Sequence, residues 1–240
     1  SEFKKYKTAL LSGSFIFLLL ISGFSLKNIE WTSLEDSIIA SIIQTNLDLD
    51  DKWSAKGVKE TKNMMQMALD NAEEGEIIVF PETALIFSES EIKDWLDYIK
   101  LKAELKEVTL ITGIIEREEG FKVRNRILGL GMANSHYDKV KLVPFGEFIP
   151  FEALTGKLFD ILGLRLTNTV PGEEINTINA GNIRISASIC YEIAFSELIR
   201  KTALESNLLV TISNDTWFGS SYGPIQHLEI AQNRALEHKK

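Results

Sequence analysis

Apolar positions in this chain recur with distinct periods, and the switches between them mark out the elements. Thr8 to Leu26 (TALLSGSFIFLLLISGFSL) is mostly apolar and carries no charge. Its length is close to the ~20 residues a helix needs to cross a bilayer, and longer than the apolar region of a cleaved signal peptide. A transmembrane helix is therefore expected over 8–26. From Asp36 a soluble pattern begins: Ser37 to Asn46 predicts a strand, and Leu47 to Gly57 a polar connection containing Trp53. Val58 to Ala72 predicts a helix with Met64, Met65, Met67 and Ala68 on its apolar side, ended by Gly75. Glu76 to Phe80 (EIIVF) reads as a short strand covered on both faces, and it stops at Pro81-Glu82.

Further along, Ser90 to Leu105 predicts a second helix and Val108 to Ile115 a third strand. Val123 to Met132 and Tyr137 to Leu142 follow as strands separated by a turn at Asn134-Ser135. Val143 to Leu164 is an irregular apolar arm rich in phenylalanine. Ile183 to Ile189 alternates apolar and polar residues, after which Ile193, Ala194, Leu198, Ile199 and Leu204 recur at helical spacing. Asn207 to Ser213 is another buried strand and Gly223 to Glu237 a last helix. Strands alternating with helices, several of them apolar throughout, predict an α/β domain with covered sheets.

Composition narrows the function. A net charge of −8 with mixed signs offers no basic field for nucleic acid. Three histidines without ligand spacing give no zinc motif, and Asp48, Asp50 and Asp51 lack the glycine and distal glutamate of a calcium loop. No metal and no cofactor are expected. Lys4, Lys5 and Lys7 precede the apolar stretch, which predicts a cytoplasmic flank over 1–7, a linker over 27–35 and an extracytoplasmic domain over 36–240. Because the chain opens Ser1-Glu2-Phe3 without methionine, a longer protein with further spans upstream is expected.

Cys190, the one cysteine, sits where a strand hands over to a helix, whose free N–H groups and dipole stabilise negative charge. Free cysteine also commonly packs as a small hydrophobe, so alone it leaves both readings open. Glu82 follows one strand and Lys139 lies in Tyr-Asp-Lys near the end of another. Together the three make a working set for acyl transfer. The carboxylate takes the thiol proton, the thiolate attacks a carbonyl, and the lysine and the Tyr191 N–H stabilise the oxyanion. A cationic neighbour is also expected to lower the thiol pKa.

At these residues the chain resembles the nitrilase (carbon–nitrogen hydrolase) superfamily and, within it, the apolipoprotein N-acyltransferase family. The superfamily's Glu-Lys-Cys triad matches Pro81-Glu82, Tyr137-Asp138-Lys139 and Ile189-Cys190-Tyr191-Glu192. Val143-Pro144-Phe145-Gly146-Glu147-Phe148, Ser213-Asn214-Asp215-Thr216-Trp217-Phe218-Gly219 and Gly223-Pro224-Ile225-Gln226-His227 match the narrower family, as do Gln44, Asn46 and Trp53. The resemblance covers about 37–240.

It implies a four-layer αββα sandwich attached to a bundle of membrane helices in the bacterial inner membrane, with the catalytic domain on the periplasmic side. The cysteine would take a fatty acyl chain from a membrane phospholipid as a thioester, then pass it to the α-amine of the diacylglyceryl-cysteine that begins an apolipoprotein. By the same matching Glu82 is the general base, Lys139 the oxyanion stabiliser, and Glu147, Tyr191 and Glu192 support them. Trp53, Phe145, Phe148 and Trp217 are the expected substrate-binding side chains. One span is present where the family has a bundle, and the chain stops at Lys240, before the family's last strands, which predicts an open sheet edge. An amidase acting on a small amide and a non-catalytic, membrane-anchored binding module are the alternatives.

Overall fold

The computed structural model describes residues 2–27, 29, 37–120, 122–148, 150 and 168–240. It divides into two compact units, Ser1–Ser37 and Ile38–Lys240. The first contains helix α1, Glu2–Leu26. Lys5–Leu26 within it is 22 residues long, with mean hydropathy 2.1. At 1.5 Å per residue that stretch is about 33 Å long, enough to cross a hydrocarbon core.

In the second unit five strands form one sheet in the order β1-β2-β3-β4-β5: Ala40–Ile42, Ile77–Val79, Thr109–Arg117, Val123–Gly131 and His136–Asp138. The first three are mutually parallel, β4 runs antiparallel to β3, and β5, antiparallel to β4, runs again in the direction of the first three. A second sheet, order β6-β7-β8, comprises Ile178–Ala180, Ile183–Ile189 and Leu208–Ile212. The helices are α2 (Leu49–Lys52), α3 (Ala55–Asn71), α4 (Lys93–Leu105), α5 (Ser196–Ala203) and α6 (Gly223–His238).

Side-chain alternation along the strands builds the layers. Ile78, Leu110 and Leu128 face Met65 and Leu69 of α3 and Leu96, Ile99 and Ala103 of α4. Their neighbours Ile77, Ile111 and Ile127 face the other way and meet Ile185, Ala187, Ile189, Val210 and Ile212 of the second sheet. Beyond that sheet, Leu209 packs with Ile199 and Ala203 of α5 and Ile230 and Ala231 of α6. The result is the expected αββα sandwich.

Several local expectations are corrected. The strand expected over 37–46 is only Ala40–Ile42, an edge strand limited to the three residues that pair with Ile77–Val79 of β2, and its Ile42 is 83% exposed. Helix α3 starts earlier, where the Ser54 hydroxyl accepts the Gly57 N–H at 3.1 Å. It also stops before Gly75, which sits in a following turn at φ +78°. Met67 lies outside the apolar stripe, 63% exposed, while Met65 is fully buried. The strand expected over Tyr137–Leu142 is shorter, ending at Asp138. Cys190 opens a 3₁₀ turn, Cys190–Ala194, and α5 begins only at Ser196, so no α-helix N-terminus stands directly behind the thiol. Strand β8 is the last in its sheet among the described residues. Most of the phenylalanine-rich arm, 149 and 151–164, lies outside the described residues.

The inter-sheet layer is the energetic centre of the unit. Ile111→Ala, at a fully buried site between the sheets, is expected to cost about 2–5 kcal/mol. Met67→Ala, at an exposed one, should stay within about 0.5 kcal/mol. Denaturant titration in detergent checks the pair.

Candidate active site

Parallel strands place their C-terminal ends on one side, and the polar residues of interest lie just past such ends. Glu82 follows β2, Lys139 follows β5, Cys190 follows β7, and Asn214 follows β8. The turn carrying Glu82 lies tightly on β3: a Cβ on Gly113 would stand 2.4 Å from the Thr83 nitrogen and 2.7 Å from the Pro81 oxygen. A glycine is needed there for the backbones to approach.

Glu82 is buried, with 8% of its surface exposed. Its Oε1 accepts from Asn125 Nδ2 at 2.6 Å and its Oε2 from the Asn214 backbone N–H at 2.9 Å. The Lys139 ammonium, 2% exposed, stands 3.8 Å from Glu82 Oε1 and donates to Glu147 Oε1 at 2.8 Å. Burial alone would pull this lysine down, but Glu82 and then Glu147 outweigh it and hold the ammonium above its ordinary value. Glu147 is fixed in turn by the Val143 N–H, at 2.8 Å from its Oε2. The backbone of Lys139 is held at both ends: its N–H donates to Asn125 O and its carbonyl accepts from Gly172 N–H.

Cys190 is partly buried and has φ +53°, a left-handed conformation that costs a non-glycine residue on the order of 1–3 kcal/mol. The expected lowering of its pKa is corrected. Burial first, then the Glu82 charge, raises the thiol above its ordinary value. A Ser213 hydrogen bond, the Lys139 charge and the Tyr191 N–H pull the other way without prevailing. The resting nucleophile candidate is therefore a thiol with a carboxylate close enough to act on it electrostatically.

Glu192 is fully buried and works as a tie. Its Oε1 accepts from Tyr137 Oη at 3.0 Å, Val140 N–H at 2.8 Å and Lys141 N–H at 2.9 Å. Its Oε2 accepts from Ile189 N–H at 2.9 Å. One carboxylate thus fastens the chain just after Lys139 to the residue just before Cys190. Burial pushes it up, opposed by these four donors, and the same environment raises the Tyr137 phenol. The Tyr191 ring is half exposed and meets Phe195 edge-on at 5.8 Å, so what it brings to the thiol is its backbone N–H.

Trp53, Phe145, Phe148 and Trp217 are exposed by 52%, 60%, 37% and 76%, values high enough to leave them available to a partner. Trp53 adjoins Lys52, Phe145 and Phe148 bracket Glu147, and Trp217 lies two residues past Asp215. Residues without an expected role also converge here. Asn125 sits mid-strand in β4 and holds both Glu82 and the Lys139 backbone. Lys52 donates to the Glu82 carbonyl at 3.0 Å, its ammonium lowered by burial against the Glu82 charge. Asn125 gives no local signal, whereas Lys52 had one in its position beside Trp53.

A double-sheet αββα sandwich with a glutamate, a lysine and a cysteine gathered at strand ends is the architecture of the carbon–nitrogen hydrolases. The chain belongs to this family: the carbon-nitrogen hydrolase family model matches residues 39–240. Two curated relatives narrow the comparison. The chain is 34% identical over 235 residues to the apolipoprotein N-acyltransferase of Vibrio parahaemolyticus, covering 92% of this chain and 46% of that protein. It is 34% identical over 220 residues to the apolipoprotein N-acyltransferase of Pseudomonas putida, covering 90% and 44%. The chain thus spans about half the length of the curated relatives it matches. Among solved structures, a carbon-nitrogen hydrolase from Helicobacter pylori is similar at TM-score 0.57 and 16% identity, over 82% of this chain and 69% of that one. A Saccharomyces cerevisiae member of the nitrilase superfamily gives TM-score 0.54 and 16% identity, over 76% and 66%. Both share the fold.

The opposed charges around Cys190 make a testable pair. Glu82→Gln removes a charge that raises the thiol and should move the pH profile of Cys190 alkylation by iodoacetamide to lower pH. Lys139→Met removes a charge that lowers it and should move the profile to higher pH. Coincident profiles would mean that the three groups do not interact.

Proposed function

We propose that the protein is an N-acyltransferase of lipoprotein maturation, with Cys190 as nucleophile, Glu82 as general base and Lys139 as oxyanion stabiliser. The observation that carries this reading is the buried cluster at the strand ends, where Lys139 stands 3.8 Å from Glu82 and both bear electrostatically on Cys190. Similarity to the apolipoprotein N-acyltransferases supports the choice of substrates.

Glu82 takes the proton from Cys190 Sγ as the sulfur attacks an ester carbonyl of a membrane phospholipid. The developing oxyanion is met by the Lys139 ammonium and the Tyr191 N–H. Collapse forms a thioester and breaks the ester bond, and the departing glycerol oxygen takes the proton back from Glu82 as lysophospholipid leaves. In the second half the α-amine of a diacylglyceryl-cysteine attacks the thioester and loses a proton to Glu82. That proton returns to the sulfur as the amide forms. Glu147 and Glu192 support the lysine and the cysteine turn.

The membrane supplies one substrate and carries the other. Residues 8–26 span it, the lysine-rich flank 1–7 lies on the cytoplasmic side, and the catalytic domain 36–240 works on the periplasmic face of the inner membrane. Trp53, Phe145, Phe148 and Trp217 contact the acyl chains, which is consistent with their exposure.

Mass spectrometry of the full-length protein incubated with phospholipid tests the chemistry. An acyl mass on Cys190, absent in Cys190→Ala and Glu82→Ala and discharged by a diacylated lipopeptide amine, is the expected result. Hydrolysis of small amides with no lipid-derived adduct would instead assign an amidase. Phe148→Asp with Trp217→Asp should slow transfer from phospholipid while leaving iodoacetamide labelling of Cys190 unchanged; unchanged transfer would remove these aromatic residues from the lipid site.

A further inference from the structure

The scheme above leaves one buried network without a role. On α6 the one buried residue is a histidine, His227. Its Nε2 lies 3.0 Å from the Cys190 carbonyl oxygen. Its Nδ1 faces Asp215, 2.9 Å from Oδ1 and 3.2 Å from Oδ2. Asp215 Oδ1 also accepts from the Ser213 hydroxyl at 2.6 Å. The network therefore runs from the end of β8 through His227 to the Cys190 carbonyl.

Hydrogen-bond inventory fixes the direction of these contacts. A carbonyl oxygen only accepts, so Nε2 carries a hydrogen and donates it to Cys190. The carboxylate of Asp215, anchored beside β8 by Ser213, sets the ring plane from the opposite nitrogen. Cys190 needs such an anchor, because a left-handed φ on a non-glycine residue persists only where its surroundings over-determine it. Glu192 holds the chain on one side of the strained residue through the Ile189 N–H, and His227 holds it on the other through the Cys190 carbonyl.

We infer that His227, oriented by Asp215, is a positioning residue that locks Cys190 in its left-handed turn and so aims the thiol at the Glu82–Lys139 pair. The inference rests on the reading of Cys190 as the nucleophile, but not on the identity of the acyl donor or acceptor.

The test is pre-steady-state acylation of the full-length protein by a short p-nitrophenyl ester, which requires no lipid recognition. Thiolate attack forms a thioester on Cys190 and releases one equivalent of p-nitrophenolate as a burst. His227→Ala should slow the burst about 100-fold, the scale expected for a nucleophile displaced by about an ångström. His227→Gln, whose side-chain amide can donate to the same carbonyl, should recover to within about tenfold of wild type. Thermal unfolding establishes that the variants are folded. A wild-type burst rate in His227→Ala, or equal slowing in folded His227→Ala and His227→Gln, would overturn the inference. If His227→Ala does not fold, Asp215→Asn and Asp215→Ala decide. Asparagine can still hold the ring, its amide oxygen accepting from Nδ1–H or its amide nitrogen donating to a bare Nδ1, and should remain within about tenfold of wild type, whereas alanine should be slow; equal rates overturn the inference. A wild-type burst without transfer from phospholipid would refute the proposed substrates and leave the role of His227 standing. No wild-type burst would refute Cys190 as nucleophile, and this inference with it.

Discussion

The buried ammonium of Lys139 is the constraint around which the site is built. A charge taken almost wholly out of water is tolerated only when paired and hydrogen-bonded, and Lys139 has two carboxylates for that purpose. Those carboxylates must themselves be held. Glu147 is fixed by the Val143 N–H, and Glu82 by Asn125 and the Asn214 N–H. The requirement to neutralise one lysine therefore reaches strand β4, the end of β8 and the turn after β5. It also explains the state of the cysteine. Burial, and then the charge of Glu82 beside it, disfavour the thiolate, so the thiol keeps its proton until an acceptor of charge arrives. In the proposed mechanism that proton moves to Glu82, which leaves the local charge unchanged and frees Lys139 toward an oxyanion.

Two sheets are needed to assemble this. Glu82 and Lys139 come from the five-stranded sheet, Cys190 and Asn214 from the three-stranded one. The layer of Ile77, Ile111 and Ile127 against Ile185, Ile189 and Ile212 sets their separation, and close packing makes that separation stiff. Glu192 adds a polar rivet across the same gap, joining the Val140 and Lys141 N–H groups to the Ile189 N–H. Apolar packing gives the distance, and this carboxylate gives the register.

Much of the scaffold was legible in the chain because burial writes itself as periodicity. The EIIVF run, the alternation of 183–189 and the helical repeats around 58–72 all mark elements that exist. Boundaries were less legible. Met67 reads as apolar but lies outside the stripe, and β1 stops after three residues because its partner β2 offers only Ile77–Val79 to pair with. Glu82, Lys139 and Cys190 could be singled out because each stands beside the end of an apolar run. Asn125 could not, since a polar residue in the half-buried part of a strand looks like any outward-facing position. The tie made by Glu192 was hidden for another reason. Two of its partners are the Val140 and Lys141 N–H groups some 50 positions away, and backbone donors leave no mark in a sequence. The left-handed Cys190 likewise has no glycine to announce it, because a side chain is needed there.

Thioester formation is chemistry that a hydrolase and a transferase share, so the fold and the strand-end cluster cannot by themselves select the second acceptor. That selection belongs to what surrounds the cluster. A small soluble amide needs an enclosed polar pocket, and large exposed aromatic side chains would be a liability around it. Here Trp53, Phe145, Phe148 and Trp217 all remain exposed, each within two residues in sequence of a group bound to the site, namely Lys52, Glu147 or Asp215. Apolar surface attached so directly to the polar cluster is favourable when the molecule arriving there is itself apolar, and acyl chains satisfy that condition. In the proposed reaction, displacing water from that rim would also disfavour hydrolysis of the thioester and lengthen its life until an amine arrives. On that reading, lipid recognition and protection of the intermediate follow from the same side chains.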